Sequence, residues 1–173
     1  NTHDVFNQST PFADVDLYAS NQPLRDALVF NLELEMSSDD EARLRELGRL
    51  TGSAAMQEHA RQANVHTPEL RTHDRVGQRV DQVEFHSSYH VLMKGACEAG
   101  LHATPWARGP GAHVLRAAGF MLYTELEPSV LCPVSMTYAV APALRANPAI
   151  AKDWMPGLTA PAYDGGFAPH TRE

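Results

Sequence analysis

Two long stretches of the chain carry apolar residues at intervals of three and four positions, the spacing of one face of an α-helix. In residues 87–100 this face comprises Tyr89, Leu92, Met93 and Ala96, and Gly100 closes the stretch. Residues 113–127 repeat the pattern before Pro128, with Val114, Leu115, Ala118, Met121 and Leu122 on the face. Both stretches are predicted to be amphipathic helices that bury their apolar faces in a common core.

Start and stop signals predict further helices. Pro23 can open a helix that runs toward Leu34, because a proline in the first turn loses no intrahelical hydrogen bond. Ser38 and Glu41 have capping-box spacing, and leucines follow on one face of the next helix. Residues 53–64 continue the helical pattern, and a last short helix is predicted at 149–158. Gly48 favours close packing of another segment.

Residues 70–85 interrupt the helices. Val80, Val83 and Phe85 flank polar residues there around a possible turn at DRVGQ, which indicates a short β-hairpin. The predicted fold class is therefore all-α, a bundle of roughly six or seven helices with one short β-hairpin excursion. We divide the chain into an extended N-terminal arm (1–22), a helical domain (23–158) and a linker (159–173). The apolar stretch 129–146 is the expected buried centre.

The overall charge limits the classes of protein that remain. The 173 residues carry a formal charge of −7, whereas a nucleic-acid module normally presents a basic face.

No apolar stretch reaches the roughly 20 residues of a membrane span, so no membrane contact is expected. The two cysteines match no zinc or haem spacing, and such sparse usage predicts a reducing, cytoplasmic location.

Few residue patterns indicate chemistry. His86 and His90 are four residues apart and could place two imidazoles toward a metal, but further ligands are missing from the pattern. Cys97 precedes Glu98, which disfavours the thiolate, so a packing role is predicted; Cys132 is expected to be a small buried residue. Some residues could line a pocket for an acyl chain or flat cofactor, or could simply be core: Phe120, Met121, Tyr123, Met136 and Tyr138.

Four sequence blocks, in this order, resemble one family: RQANVHTPEL from residue 61, RVDQVEFHSSYHVLM from 79, ARGPGAHVLRAAGFML from 107 and LCPVSMTYAVAP from 131. Together with Trp154, Pro156, Tyr163 and Asp164, they are similar to the N-terminal helical domain of AidB-like proteins in the acyl-CoA dehydrogenase superfamily. Two features depart from the family pattern. Ser87 stands where a proline is usual, and ALVFNLELE replaces an arginine-glutamate-glycine-alanine run.

The resemblance implies a parent oxidoreductase that oxidises CH–CH groups of acyl thioesters with FAD, in the alkylation response. The flavin-binding middle domain and the C-terminal domain would follow this chain, which alone is expected to be inactive and to bind no FAD. No catalytic or cofactor-binding residue is expected here. Cys132, Met136 and Thr137 are the residues implied to line the acyl pocket.

The same resemblance implies a homotetrameric parent that contacts DNA only through a basic C-terminal region absent from this chain. An alternative from a different class is a self-sufficient helical module that acts as a scaffold or binds metal through His86 and His90. This alternative requires further ligands that the sequence pattern does not supply.

Overall fold

The computed structural model describes residues 2–32, 36–109 and 111–166. Within these ranges the chain forms eight α-helices, one 3-10 helix (Thr104–Ala107) and two strands. The helices are α1 (Leu17–Ser20), α2 (Gln22–Leu32), α3 (Ser38–Thr51), α4 (Ala54–Val65), α5 (Ser87–Glu98), α6 (Ala112–Leu126), α7 (Leu131–Arg145) and α8 (Pro148–Leu158). The strands are β1 (Glu69–His73) and β2 (Arg79–Glu84). The predicted helical bundle with a short hairpin is confirmed.

The core lies where the apolar faces of α5 and α6 meet the neighbouring helices. Leu92 and Ala96 of α5, and Leu122 and Tyr123 of α6, are fully buried. α4 packs on α5, and α3 packs on α6. The predicted face of residues 87–100 is confirmed by the buried Leu92, Met93 and Ala96. In residues 113–127 the prediction is partly wrong, because Met121 of the predicted face is exposed and Tyr123 outside it is buried.

The ends of two helices differ from the predicted ones. The side chain of Ser37, rather than that of Ser38, caps α3 by accepting a hydrogen bond from the backbone N–H of Asp40. A serine at either position fits the capping preference, so the sequence alone does not distinguish them. The first predicted helix corresponds to α2, and its expected end at Leu34 lies outside the described residues.

The helical domain begins earlier than predicted, because part of the segment 1–22 is buried. α1 lies in that segment, and its Leu17 and Tyr18 belong to the core. A hydrogen bond of 2.7 Å from the backbone N–H of Asp14 to the carbonyl oxygen of Gly52 holds the segment against the α3–α4 turn. A Cβ atom at Gly48 would lie 2.6 Å from the backbone nitrogen of Tyr18. The absence of a side chain at Gly48 thus permits the close approach.

The expectation that residues 129–146 form the buried centre is wrong. In α7 only Leu131, Val134 and Ala141 are buried, and α8, which packs on α7, has no buried residue. The apolar residues of α7 surround the whole helix, so their pattern does not reveal which side packs inward. Among the described residues, no helix is both long enough and apolar enough to cross a membrane.

The hairpin connects α4 to α5. β1 and β2 pair antiparallel, with Leu70 opposite Val83, and the register shifts between Arg71 and His73. Gly77 adopts a φ of 85° in the connecting turn, in the left-handed region that glycine favours. All residues of both strands are exposed except the half-buried Val83, so the hairpin projects from the bundle.

Candidate functional site

α7 presents an apolar face to the protein surface. Cys132 and Met136 lie one helical turn apart, and both are exposed, Met136 by 68%. The expectation that Cys132 is buried is therefore wrong. Thr137, the neighbour of Met136, is half-buried, and its hydroxyl donates a 3.2 Å hydrogen bond to the carbonyl oxygen of Pro133. Of the three predicted pocket residues, two thus point into open space and the third is tied to its own helix.

α8 extends this apolar surface beyond α7. Its side chains Ile150 and Trp154 are 45% and 41% exposed, and the helix begins at Pro148 with a cap from the side chain of Asn147. A helix with one apolar face and no buried residue is typical of an element that packs against only one neighbour. α7 and α8 together therefore offer apolar area that the described chain leaves uncovered.

Two stacked aromatic rings with a cationic side chain on each side connect the second half of α7 to its neighbours. The Trp106 indole stacks on Tyr138 with ring centroids 4.9 Å apart, and its N–H donates to the Tyr138 carbonyl oxygen at 2.9 Å. The guanidinium of Arg116 lies 3.7 Å from the centre of the Tyr138 ring, and that of Arg145 lies 4.9 Å from the centre of the Trp106 ring. We call these four residues the cation–aromatic ladder. It joins the 3-10 helix, α6 and α7.

The remaining residues considered for a pocket divide between the core and the surface. Tyr123 is fully buried, while Met121 is 56% exposed on α6. Phe120 is half-buried and lies under the Arg116 guanidinium at 4.9 Å, next to the ladder. These side chains therefore do not line one common cavity.

The two histidines considered as metal ligands have separate hydrogen bonds. His86 caps α5, where its Nδ1 accepts from the backbone N–H of Ser88 at 3.2 Å, and its ring stacks on His66. His90 Nδ1 shares a 2.9 Å hydrogen bond with the hydroxyl of Tyr163. In the part of the chain that the structure describes, no group of three or more potential ligands could hold a metal ion. No observation therefore favours the metal-binding alternative.

Cys97 has the surroundings of a packing residue. It is buried in α5, and burial raises the pKa of its thiol, with a smaller contribution from the neighbouring Glu98 carboxylate. Both effects disfavour the thiolate that a nucleophile requires. The predicted packing role is thus consistent with the electrostatics of the residue.

The segment after α8 returns to the start of α5. Tyr163 contacts His90 there, beside the stacked rings of Phe85 and Tyr89. Burial raises the pKa of Tyr163 to about 12. A shallow depression of about 370 Å³ lies between this aromatic group and β2. Tyr163 and His90 are 73 positions apart, so no local pattern could have predicted their contact.

A cleft lies between α3, the end of α5, the 3-10 helix and α6. Its volume is about 660 Å³, within the size range of small-molecule sites. Leucines from α3 and α6 line it, together with charged residues that include Asp40, Arg108 and Arg116. None of Cys132, Met136 and Thr137 borders this cleft, so it is separate from the α7 face.

The sequence matches a known family. A family model described as the N-terminal domain of the adaptive response protein AidB matches residues 7–165 of the chain. The chain belongs to this family. AidB of Escherichia coli (strain K12), which is named as a candidate acyl-CoA dehydrogenase, is 38% identical over 171 residues. The match covers 97% of this chain and 31% of AidB, so the chain spans about a third of that relative.

Solved structures show the same fold. The apo form of Bd2924 superimposes with a TM-score of 0.77 at 24% identity, covering 91% of this chain and 32% of Bd2924. Caenorhabditis elegans ACDH-11, in complex with C11-CoA, has a TM-score of 0.73 at 19% identity, covering 94% of this chain and 29% of ACDH-11. The chain is thus an AidB-like N-terminal domain with the helical fold of the acyl-CoA dehydrogenase family.

Proposed function

We propose that the chain serves as the N-terminal domain of an FAD-dependent, acyl-CoA dehydrogenase-type oxidoreductase and supplies one wall of its acyl pocket. The observation that carries this proposal is the exposed apolar face of α7 at Cys132 and Met136. An exposed apolar face on a rigid helix is a surface that a partner or ligand covers. The family membership supports acyl thioesters as the substrate class.

The three α7 residues suit a wall rather than a catalytic group. Met136 is flexible and apolar, so it can adapt to an acyl chain and exclude water from it. The Thr137 hydroxyl donates to Pro133, which leaves its oxygen able to accept a further hydrogen bond. Neither residue can act as the base of an α-proton abstraction at neutral pH. Our proposal assigns the catalytic base to another part of the longer protein.

The described α7 residues fit one apolar side of a flavin-binding site and do not by themselves form a complete site. The α7 face offers a surface for a flat apolar group, while its exposed residues 132 and 136 carry no charge for a phosphate. When bound in the longer protein, FAD supplies the electron acceptor for oxidation of the acyl thioester. Our proposal assigns FAD binding to other domains and leaves this chain without bound flavin or turnover of its own.

The proposal extends to assembly and location. The apolar surface of α7 and α8 would contact the following domains, and other helix faces would contact neighbouring subunits of a cytoplasmic homotetramer. The charge of −7 makes this chain a poor surface for DNA, so any DNA contact in the alkylation response would use another region.

Cysteine labelling tests whether the α7 face is covered in the longer protein. A maleimide should label Cys132 rapidly in the 173-residue chain and much more slowly in the product of the complete reading frame. Buried Cys97 is the internal control, because it should react slowly in both. Equal labelling of Cys132 in both proteins would contradict the proposal.

A second experiment tests the pocket itself. In the complete protein, Met136→Asp should lower acyl-CoA oxidation by at least about tenfold, because it places a charge in an apolar wall. Met121→Asp is the matched control, since Met121 is exposed on α6 and lies outside the proposed wall. Similar activity of the two variants, both folded and both carrying flavin, would show that α7 does not line the site.

A further inference from the structure

Arg116 is a partly buried cation that has no anionic partner among the described residues. Its Nε donates to the carbonyl oxygen of Leu101 at 2.6 Å, and its guanidinium lies against the rings of Phe120 and Tyr138. Its Nη2 is buried and has no hydrogen-bond partner in the part of the chain that the structure describes. The ion pairs of the described residues all involve other basic side chains. A buried cation of this kind is costly unless an anion compensates it.

The carboxylates near Arg116 do not form an ion pair with it. Burial lowers the pKa of the guanidinium, as expected when solvent is removed without a counter-charge. Asp40, Glu46 and Glu98 line the cleft, and two of them have other cationic partners among the described residues. Asp40 accepts from Arg108 at 2.8 Å, and Glu98 lies 3.7 Å from Lys94. Arginine remains protonated despite such a shift, so the charge persists.

One side of the cleft is lined by leucines, while Arg43, Glu46 and Arg108 are among the charged residues that border it elsewhere. Its volume of about 660 Å³ could hold a ligand much larger than a simple anion. Leu44, Leu47, Leu50 and Leu115 line it, and Leu50 is 39% exposed. A guanidinium beside a leucine-lined surface matches a molecule with an anionic head and an apolar tail.

We propose that this cleft binds an amphipathic carboxylate, such as a medium-chain fatty acid, with its head group on Arg116 and its tail along the leucines of α3 and α6. The carboxylate would provide the counter-charge that Arg116 lacks by accepting a hydrogen bond from the Nη1 group, because Nε already donates to Leu101 and Nη2 is closed to the cleft. This site is separate from the proposed acyl wall on α7. The two proposals can therefore succeed or fail independently.

Decanoate is a suitable probe, used below the concentration at which it forms micelles. Isothermal titration calorimetry on the chain should show saturable binding of decanoate. Decanol, which has the tail without the charge, and acetate, which has the charge without the tail, should each bind at least about tenfold more weakly. Binding of decanol as tight as that of decanoate would overturn the role of Arg116.

Variants locate the site. Arg116→Gln should weaken decanoate binding about tenfold or more, because one charge-assisted contact is lost. Arg61→Gln is the matched control: Arg61 is an exposed arginine paired with Glu58, lies outside the cleft and should leave the affinity unchanged. If Arg116→Gln does not fold, Leu50→Gln at the exposed part of the cleft provides the test and should weaken decanoate binding severalfold.

The negative results are equally definite. If decanoate does not saturate the chain, the cleft is not a carboxylate site, and any counter-charge for Arg116 must come from another protein segment. If decanoate binds but neither Arg116→Gln nor Leu50→Gln weakens it, it binds elsewhere. Either result would overturn the proposal while leaving the labelling of Cys132 unaffected.

Discussion

The hydroxyl of Tyr123 donates a 2.6 Å hydrogen bond to the carbonyl oxygen of Leu92, and this bond joins α6 to α5 inside the core. Burial raises the pKa of Tyr123 far above its ordinary value, so the hydroxyl remains protonated and keeps donating. A Cβ atom at Gly95 would lie 2.8 Å from this hydroxyl oxygen, which shows how closely the two helices approach there. The polar contact therefore fixes the relative positions of two helices that otherwise contribute mainly apolar residues.

Removing this hydroxyl should destabilise the protein measurably. Tyr123→Phe is expected to lower the free energy of unfolding by about 1–2 kcal/mol, because a buried hydrogen bond is lost with little change in volume. Chemical denaturation followed by circular dichroism measures the difference. Tyr89→Phe is the control, since no hydrogen bond of the Tyr89 hydroxyl is found within the described ranges, and it should change stability by less than about 0.5 kcal/mol. Equal losses in both variants would contradict this account.

Two glycines should respond in opposite directions to the same substitution. Gly48→Ala should cost at least about 2 kcal/mol, because the added Cβ would lie 2.6 Å from the Tyr18 nitrogen and force α1 away. Gly157→Ala should instead stabilise α8 by about 0.5–1 kcal/mol, since no atom of the described ranges lies within 4 Å of its added Cβ and alanine favours the helix. Thermal unfolding of the two variants and the wild type tests whether Gly48→Ala lowers stability and Gly157→Ala raises it. Unchanged stability of Gly48→Ala would show that α1 packs loosely.

Asp40 should make stability depend on acid pH. Although burial alone would raise its pKa, hydrogen bonds from Ser37 and Arg108 lower the pKa below the ordinary value of 3.8. A carboxyl group whose pKa is depressed in the folded state stabilises the protein above its unfolded pKa, and this contribution is lost as the pH falls through the folded pKa. The free energy of unfolding should therefore decrease as the pH falls below about 4.

Arg108→Gln isolates that effect. The variant should raise the pKa of Asp40, which carbon-13 NMR of the side-chain carboxyl group can follow, and should flatten the acid dependence of stability. Arg49→Gln serves as the control because Arg49 lies near Asp16 rather than Asp40. An unchanged pKa of Asp40 in Arg108→Gln would mean that the contact with Arg108 does not stabilise the Asp40 carboxylate in solution.

The contact between Tyr163 and His90 should hold the segment after α8 against α5. Tyr163→Phe removes the 2.9 Å hydrogen bond but keeps the ring, so amides in residues 160–166 should exchange with deuterium roughly fivefold faster. Hydrogen-exchange mass spectrometry gives this ratio, and peptides from α6 provide the internal reference. Unchanged exchange in residues 160–166 would show that ring packing alone retains the segment.

Local sequence patterns predict the helices and the hairpin because their causes are local. The apolar spacing from Tyr89 to Ala96 and the turn at Gly77 each arise within a few residues, and the structure has both features. The capping serine of α3 shifts by one position because adjacent serines satisfy the same preference. Such errors concern boundaries and leave the fold unchanged.

The exposure of α7 and the surroundings of Arg116 could not be predicted in this way. Cys132 lies in an apolar stretch, yet it is exposed, so no element of the described residues covers it. Arg116 meets Leu101 and Tyr138 from other segments of the chain, and a local pattern contains no information about contacts between distant segments. The family resemblance implied a pocket role for Cys132, Met136 and Thr137 of α7, which stays a prediction, whereas the cleft at Arg116 became visible only from the packing of α3, α5 and α6.

The bare backbone at Gly48 and Gly52 also constrains how this protein can vary through evolution. Val15 and Tyr18 lie against these two glycines, where an added side chain would collide with main-chain atoms that cannot rotate away. A lineage that acquires a side chain at either glycine must reroute residues 14–18 through further substitutions. The N-terminal segment and α3 are thus expected to diverge together, as one inherited unit.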